Sequence, residues 1–144
     1  MLLYAREPDA LPLTKAHQFD AGFDIAIPKD IEIAPHALTL AESGIHLKLE
    51  PNQTAFVRSR SSTAKLGLMI ITGVIDAGYT GEIKVQIFNF TGDKVVLKRG
   101  QRIAQIVVVE NAQASQPSQE LPLEQVTNSQ LDNRGEFGFG SSGV

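Results

Sequence analysis

The sequence predicts an all-β domain, either a sandwich, a jelly roll or a barrel. Short apolar runs recur along the chain, and turn residues such as Pro28, Pro35, Gly44 and Gly100 separate them. Only Ser61–Leu66 has the pattern of a helical turn. Short strands at regular spacing, with turn residues between them, are typical of all-β folds.

Six segments carry the predicted strands, because each is apolar or alternating and is bounded by turn residues. They are Phe23–Ile33, Leu38–Leu49, Thr54–Arg60, Leu68–Ile75, Ile83–Phe90 and Arg102–Val109. Between the fourth and fifth runs, the sequence Asp-Ala-Gly-Tyr from Asp76 to Tyr79 predicts a β-hairpin with the carboxylate at its bend. Aspartate before glycine is also ordinary turn chemistry, so this motif alone does not indicate catalysis.

The length and composition predict one domain with a C-terminal arm. A chain of 144 residues, 42% hydrophobic and 20% charged, is long enough to bury one core. Residues 1–109 are expected to form the β-rich core. Residues 110–133 are rich in Gln, Ser, Asn and Glu, so 110–144 is expected to be an extended arm. The arm ends in a segment with Phe137, Phe139 and several glycines, which a purely disordered tail does not need.

Charge and composition exclude several classes of partner and site. The net charge of −3 without a basic block argues against a nucleic-acid partner. No apolar run is long enough for a membrane span, and no secretion signal is evident. We therefore expect the protein in the cytoplasm, or in the interior of a host cell if it is viral. The absence of cysteine excludes disulfides and thiolate metal sites, and His17, His36 and His46 lack metal-ligand spacing.

Arginines and hydroxyls in two segments indicate binding of a small anion. Arg58 and Arg60 alternate with serines where a strand meets the predicted helical turn. The glycines of residues 134–143 allow close backbone approach, while Arg134 can bind phosphate and Phe139 can stack on a base. Arg102 is a further candidate for the same anion.

Five short motifs, in this order, resemble those of the trimeric dUTPase family, the deoxyuridine triphosphate nucleotidohydrolases. They are AGFDI (21–25), RSRSSTAKLGL (58–68), GVIDAGYTGEI (73–83), RGQRIAQ (99–105) and RGEFGFGSSG (134–143). Five ordered motifs that span nearly the whole chain are far more specific than any one of them.

The resemblance implies a jelly-roll subunit, a homotrimer with shared active sites, and hydrolysis of dUTP to dUMP and pyrophosphate. Asp76 would activate the water that attacks the α-phosphorus, and Asp24 would have a supporting role. Mg²⁺ would be the cofactor, held by the triphosphate and water without protein ligands.

The resemblance also implies which residues bind each part of the substrate. Uracil would pair with backbone groups of Gly73, Val74, Ile75 and Lys84, and Tyr79 would pack on the deoxyribose. The α- and β-phosphates would be bound by Arg60, Ser61, Ser62 and Gln105. The closing segment would contribute Arg134, Phe139, Gly140, Ser141 and Ser142, with Phe139 on uracil and Arg134, Ser141 and Ser142 at the γ-phosphate.

Two alternatives stay open at this point. The related dCTP deaminases share the fold, but the position of their glutamate is Gln86 here, which cannot shuttle protons. A regulatory module that binds a protein partner on the same fold is the other alternative, and nothing in the sequence supports a regulatory partner.

Overall fold

A computed structural model describes residues 1–112 and 116–127 of the chain. Within these residues the chain forms short strands and two five-residue helices. The strands are β1 (Leu3–Arg6), β2 (Phe23–Ala26), β3 (Ile31–Ile33), β4 (Leu38–Glu42), β5 (Ile45–Lys48), β6 (Gln53–Ser59), β7 (Leu68–Ile70), β8 (Gly73–Ile75), β9 (Lys84–Asn89), β10 (Val95–Leu97) and β11 (Arg102–Glu110). The helices are α1 (Ser61–Lys65) and α2 (Leu123–Thr127). The predicted all-β class is confirmed.

The strands form four antiparallel sheets around one core. The largest has the order β2-β11-β6-β8, the second has the order β4-β9-β7, and β1-β5 and β10-β3 form two-stranded sheets. Alternate residues of β6 and β11 point inward, so that Ala55, Val57, Ala104 and Ile106 are buried. Thr63 fixes α1 to this layer, because its buried hydroxyl donates to the Ile103 carbonyl over 2.7 Å.

Three of the predicted strands are in fact pairs of strands. Phe23–Ile33 is β2 and β3, Leu38–Leu49 is β4 and β5, and Leu68–Ile75 is β7 and β8. At each break, the residues between the two strands do not belong to the strand pairing on either side. At Gly44 the backbone has a φ of 69° and a Cβ would lie 2.6 Å from that of Ala10, so only glycine fits this turn.

The predicted β-hairpin around Asp76 is wrong. The turn itself exists, because the Tyr79 amide donates to the Asp76 carbonyl over 3.0 Å. However, β8 pairs with β6, whereas β9 pairs with β4 and β7. The segment 76–83 therefore connects two sheets. Its end is held by β5, since the Ile83 amide donates to the Ile45 carbonyl over 2.8 Å.

Three elements were absent from the predicted set: β1, β10 and α2. All four residues of β1 are exposed, so the strand has no alternating pattern to detect. Strand β11 ends one residue beyond the predicted boundary, and the division into a core of residues 1–109 and an arm of 110–144 stays a prediction. None of the described helices has the length and apolarity that a membrane span requires.

Candidate active site

Asp76 lies in a cleft between the two main sheets, which we call the acid cleft. The cleft has a volume of about 340 Å³, within the range of small-molecule sites. It is lined by Leu40, Val57, Gly73, Val74, Ile75, Asp76, Tyr79, Glu82, Ile83, Lys84 and Gln86. The residues predicted to bind uracil and deoxyribose therefore meet around the Asp76 carboxylate.

The geometry of the segment 76–82 is set partly by its own hydrogen bonds. The turn at Asp76 is closed by the Tyr79 amide, and the Tyr79 hydroxyl donates to the Glu82 carbonyl over 2.7 Å. The Tyr79 ring lies against Gly81, where a Cβ would come within 2.8 Å of the ring carbon Cζ. These contacts hold the aromatic ring at the mouth of the cleft, where 48% of the residue is exposed.

Strand β8 offers free backbone groups to the acid cleft. It is the last strand in the sheet order β2-β11-β6-β8, and among the described residues its Gly73 to Ile75 pair with β6 alone. An edge strand presents unpaired N–H and C=O groups on its other side. Because Gly73, Val74 and Ile75 line the acid cleft, this edge can offer both donors and acceptors there.

A second cleft, which we call the arginine cleft, is lined by two of the four residues predicted to bind the α- and β-phosphates, Arg60 and Ser62, but not by Ser61 or Gln105. Its volume is about 380 Å³, and it is lined by Arg60, Ser62, Thr63, Leu66, Gly100, Gln101, Arg102 and Ile103. Arg60 Nη1 donates to Ser62 Oγ over 3.0 Å and to the Arg102 carbonyl over 3.1 Å. Ser61 begins α1 beside this cleft and is exposed.

Asp24 is the carboxylate that orients the arginines. It is buried, with 9% of the residue exposed, and its Oδ1 accepts from Arg60 Nε over 2.9 Å. Arg102 Nη1 donates to its Oδ2 over 3.4 Å. Asp24 thus lies beside the predicted phosphate-binding arginine, while its supporting role stays a prediction. Asp24 lines neither cleft, and it reaches the arginine cleft only through its contacts with Arg60 and Arg102.

Gln105 lies opposite Asp24 in the ladder between β11 and β2. Its Nε2 donates to the Ser59 carbonyl over 2.9 Å. A Cβ at Gly22 would lie 2.3 Å from Gln105 Oε1 and 3.1 Å from Gln105 Cβ, so glycine is required at residue 22 for this side chain to keep its position.

Within one chain the two clefts lie at opposite ends of β6. They share no lining residue. The register between β6 and β8 pairs Val57 with Gly73 and Ala55 with Ile75. Continued by one residue, it places Asp76 beside Thr54. A strand rises about 3.3 Å per residue, which separates the backbones of Asp76 and Arg60 by about 20 Å. One chain alone does not place both residues on adjacent phosphates.

Comparison with known proteins identifies the family. The sequence pattern of the family described as dUTPase matches residues 10–143. The chain belongs to the dUTPase family. A deoxyuridine 5'-triphosphate nucleotidohydrolase of Clostridium kluyveri is 36% identical over 132 residues, which cover 90% of this chain and 87% of that protein. A protein of the same name from a Mycobacterium species is 39% identical over 144 residues, covering 92% and 88%.

Viral proteins are similar as well. The Pol polyprotein of equine infectious anemia virus is 36% identical over 126 residues, which cover 87% of this chain but 10% of the polyprotein. This chain thus spans about a tenth of the length of such relatives. Among solved structures, a Staphylococcus bacteriophage 80alpha dUTPase with dUPNHPP has a TM-score of 0.83 at 25% identity, covering 100% and 99% of the two chains. The native EIAV dUTPase has a TM-score of 0.72 at 32% identity, covering 85% and 98%. The predicted jelly-roll-like fold is confirmed.

Two charged residues near the acid cleft of this dUTPase-family chain were not predicted as site residues. Burial raises the pKa of the Glu82 carboxyl, and the nearby Glu7 and Glu42 carboxylates raise it further. Glu82 Oε1 is enclosed and has no hydrogen-bond partner in the described part of the chain. The Thr80 carbonyl and the Glu7 carboxylate raise the pKa of His46. Glu82 lies within the motif of residues 73–83 but was given no role there, and His46 lies in none of the five motifs.

Five predicted site residues lie outside the described residues. They are Arg134, Phe139, Gly140, Ser141 and Ser142. Their assignment to the γ-phosphate and to uracil stays a prediction.

Proposed function

We propose that this chain hydrolyses dUTP to dUMP and pyrophosphate. Membership of the dUTPase family supports this proposal, and so do relatives named deoxyuridine 5'-triphosphate nucleotidohydrolase. The observation that carries it is the position of Asp76, an exposed carboxylate at the mouth of a cleft whose wall is the free edge of β8. A nucleobase that pairs with the edge of β8 brings its sugar and α-phosphate towards this carboxylate.

The edge of β8 accounts for the choice of uracil. The polar edge of uracil alternates acceptor, donor and acceptor, as a strand edge alternates donor and acceptor groups. Backbone groups of Gly73, Val74 and Ile75 bind this edge, together with the backbone of Lys84. Leu40 and Val57 line the cleft with apolar side chains, and we propose that they exclude the methyl group of thymine. Tyr79 packs on deoxyribose and excludes a 2′-hydroxyl.

Asp76 acts as the general base. Its carboxylate takes a proton from a water molecule as the water oxygen attacks the α-phosphorus in line. The bond from the α-phosphorus to the bridging oxygen breaks, and pyrophosphate leaves with the electron pair of that bond. Arg60 and the hydroxyls of Ser61 and Ser62 bind the phosphate oxygens and neutralise the charge of the leaving group.

Mg²⁺ fits this scheme as an ion carried by the substrate. Among residues 1–112 and 116–127, no group of three or more Asp, Glu or His side chains could hold a metal ion. Mg²⁺ is often bound by substrate phosphates and water with few protein ligands, and the donors of the arginine cleft are suited to the phosphates. When bound, the ion neutralises the triphosphate oxygens.

The active site requires a neighbouring copy of the chain. The distance of about 20 Å along β6 prevents Asp76 and Arg60 of one copy from serving the same triphosphate. The outer face of the sheet β4-β9-β7 exposes apolar side chains where such a copy can bury them, and Leu40 of this face also lines the acid cleft. The exposed side chains are Leu38, Leu40, Met69 and Ile71. A homotrimer with three shared sites would supply Arg60 from a neighbouring copy and would bury the exposed apolar face.

Deamination of dCTP is not favoured. Gln86 lines the acid cleft on β9, and an amide side chain cannot transfer protons to and from a pyrimidine.

The test supplies dUTP, dCTP, dTTP and UTP separately with Mg²⁺ and measures pyrophosphate and ammonia. We expect pyrophosphate from dUTP, far less from the other three nucleotides, and no ammonia from dCTP. Release of ammonia from dCTP, or equal turnover of dUTP and dTTP, would contradict the proposal. Omission of Mg²⁺, with EDTA present, is expected to lower the rate with dUTP.

A further inference from the structure

The segment that carries Asp76 is anchored at one titratable side chain. Among the described residues, segment 76–82 has a single hydrogen bond to another part of the chain, between the Thr80 carbonyl and His46 Nδ1 over 2.9 Å. The other hydrogen bonds of the segment, those of the Tyr79 amide and hydroxyl, are internal to it. Between Ile75 of β8 and Ile83, whose amide is bound by Ile45 of β5, the position of the segment therefore depends on His46.

His46 is itself held between two elements. It lies in β5, opposite Ala5 of β1. Its Nε2 lies 3.1 Å from Oε1 of Glu7, the residue that follows β1. Both ring nitrogens therefore face oxygen acceptors, a carbonyl on one side and a carboxylate on the other. A neutral imidazole has one N–H, so only the protonated ring can donate to both.

We propose that His46 is a positioning residue for the Asp76 segment, and that its protonated ring holds the segment by bridging the Thr80 carbonyl and the Glu7 carboxylate. The catalytic consequence rests on the proposed function, in which Asp76 activates the attacking water. The bridge itself does not depend on that function.

The surrounding charges favour the protonated ring. The Thr80 carbonyl contributes most to raising the pKa of His46 above its ordinary value of 6.5, followed by the hydrogen bond to Glu7, and the Glu82 carboxylate adds to the effect. Glu82 in turn faces Glu7, Glu42 and Lys84. The bridge is therefore complete below the ordinary histidine pKa and is lost as the pH rises through the raised pKa of the folded protein. The neutral ring keeps one N–H, and where the Glu7 carboxylate holds that N–H at Nε2, the Thr80 carbonyl loses its donor on the alkaline side.

Glu7→Gln separates this proposal from a purely structural role of His46. A glutamine amide at residue 7 can donate to a neutral Nε2, while Nδ1–H still donates to the Thr80 carbonyl. The bridge can then form with a neutral imidazole ring. Glu32→Gln is the matched control, because Glu32 forms an exposed ion pair with Lys94 at 3.5 Å, in a different sheet. We would measure the titration of the His46 ring by NMR and the pH dependence of kcat and KM.

In the unaltered chain and in Glu32→Gln, we expect His46 to titrate above 6.5 and kcat/KM to fall about fivefold through that titration, the effect of one lost hydrogen bond. In Glu7→Gln, we expect a lower pKa of His46 and a kcat/KM without the alkaline fall. An unraised pKa in the unaltered chain, or the same alkaline fall in Glu7→Gln, overturns the proposal. The NMR titration needs no substrate, so it tests the bridge even if dUTP is not hydrolysed.

Discussion

Arg60 Nε donates to Asp24 Oδ1 over 2.9 Å, and this contact fixes the guanidinium of the arginine cleft. Because Nε is used by Asp24, Nη1 is directed to Ser62 Oγ and the Arg102 carbonyl. The side chain of Asp24 is only 12% exposed and faces two arginines, whose charges it partly neutralises. In the proposed reaction, Asp24 would therefore act on phosphate binding through Arg60.

Asp24→Asn is expected to destabilise the fold and weaken nucleotide binding. The amide oxygen can still accept from Arg60, but the negative charge is lost and the amide nitrogen cannot accept from Arg102. We expect a loss of about 1–2 kcal/mol in the free energy of unfolding, measured by urea denaturation. The exposed pair of Glu32 and Lys94 offers a control, in which Glu32→Gln is expected to cost less than about 0.5 kcal/mol. An equal loss of unfolding free energy in the two variants would show that the contacts of Asp24 with the arginines stabilise the fold no more than an exposed ion pair does.

Gly22→Ala is expected to act on Gln105. The new methyl group would occupy the place of the Gln105 amide, 2.3 Å from Oε1, so the side chain must rotate and lose its hydrogen bond to Ser59. We expect KM for dUTP to rise about fivefold, as for one lost hydrogen bond, with a smaller change in kcat. Gly78→Ala is a control, because no atom lies within 4 Å of a Cβ at that residue. A Gly22→Ala variant with an unchanged KM would show that Gln105 does not bind substrate.

Tyr79→Ala and Tyr79→Phe separate the two contacts of this side chain. The phenylalanine variant loses the hydrogen bond to the Glu82 carbonyl but keeps the ring, whereas the alanine variant loses both. If the ring excludes the 2′-hydroxyl, the ratio of kcat/KM for dUTP over UTP falls in the alanine variant and is nearly kept in the phenylalanine variant. The same fall in both variants would assign the discrimination to the turn geometry and not to the ring.

The fold class and the family could be predicted from the sequence, because strand spacing and ordered motifs are local signals. The pairing of β8 and β9 could not, because a turn at Asp76 looks the same whether the chain continues in its own sheet or crosses to another. The distance between Asp76 and Arg60 depends on the register along β6, and it cannot be deduced from the number of residues between them in the sequence. His46 was assessed in the sequence only as a metal ligand, for which it lacks the spacing. Its two contacts, with Glu7 and Thr80, come from distant parts of the chain.

Asp76→Asn and Arg60→Gln together test whether neighbouring copies share a site. The first variant cannot take a proton from water and is expected to lose about 10²–10⁴-fold in kcat. The second keeps a donor for Asp24 but loses the guanidinium that binds phosphate, so KM is expected to rise and kcat to fall. Circular dichroism and size-exclusion chromatography would check that each variant folds and forms the same oligomer as the unaltered chain.

The two variants would then be unfolded together and refolded as mixed oligomers. If each site takes Asp76 from one copy and Arg60 from a neighbour, random assortment restores both residues in about a quarter of the sites of a trimer. We therefore expect about a quarter of the unaltered activity, well above that of either variant alone. In mixed oligomers with sites confined to one chain, no site would contain both residues. Activity that stays at the level of the separate variants, while mixed oligomers are detected by mass, would show that Asp76 and Arg60 of different copies do not act together.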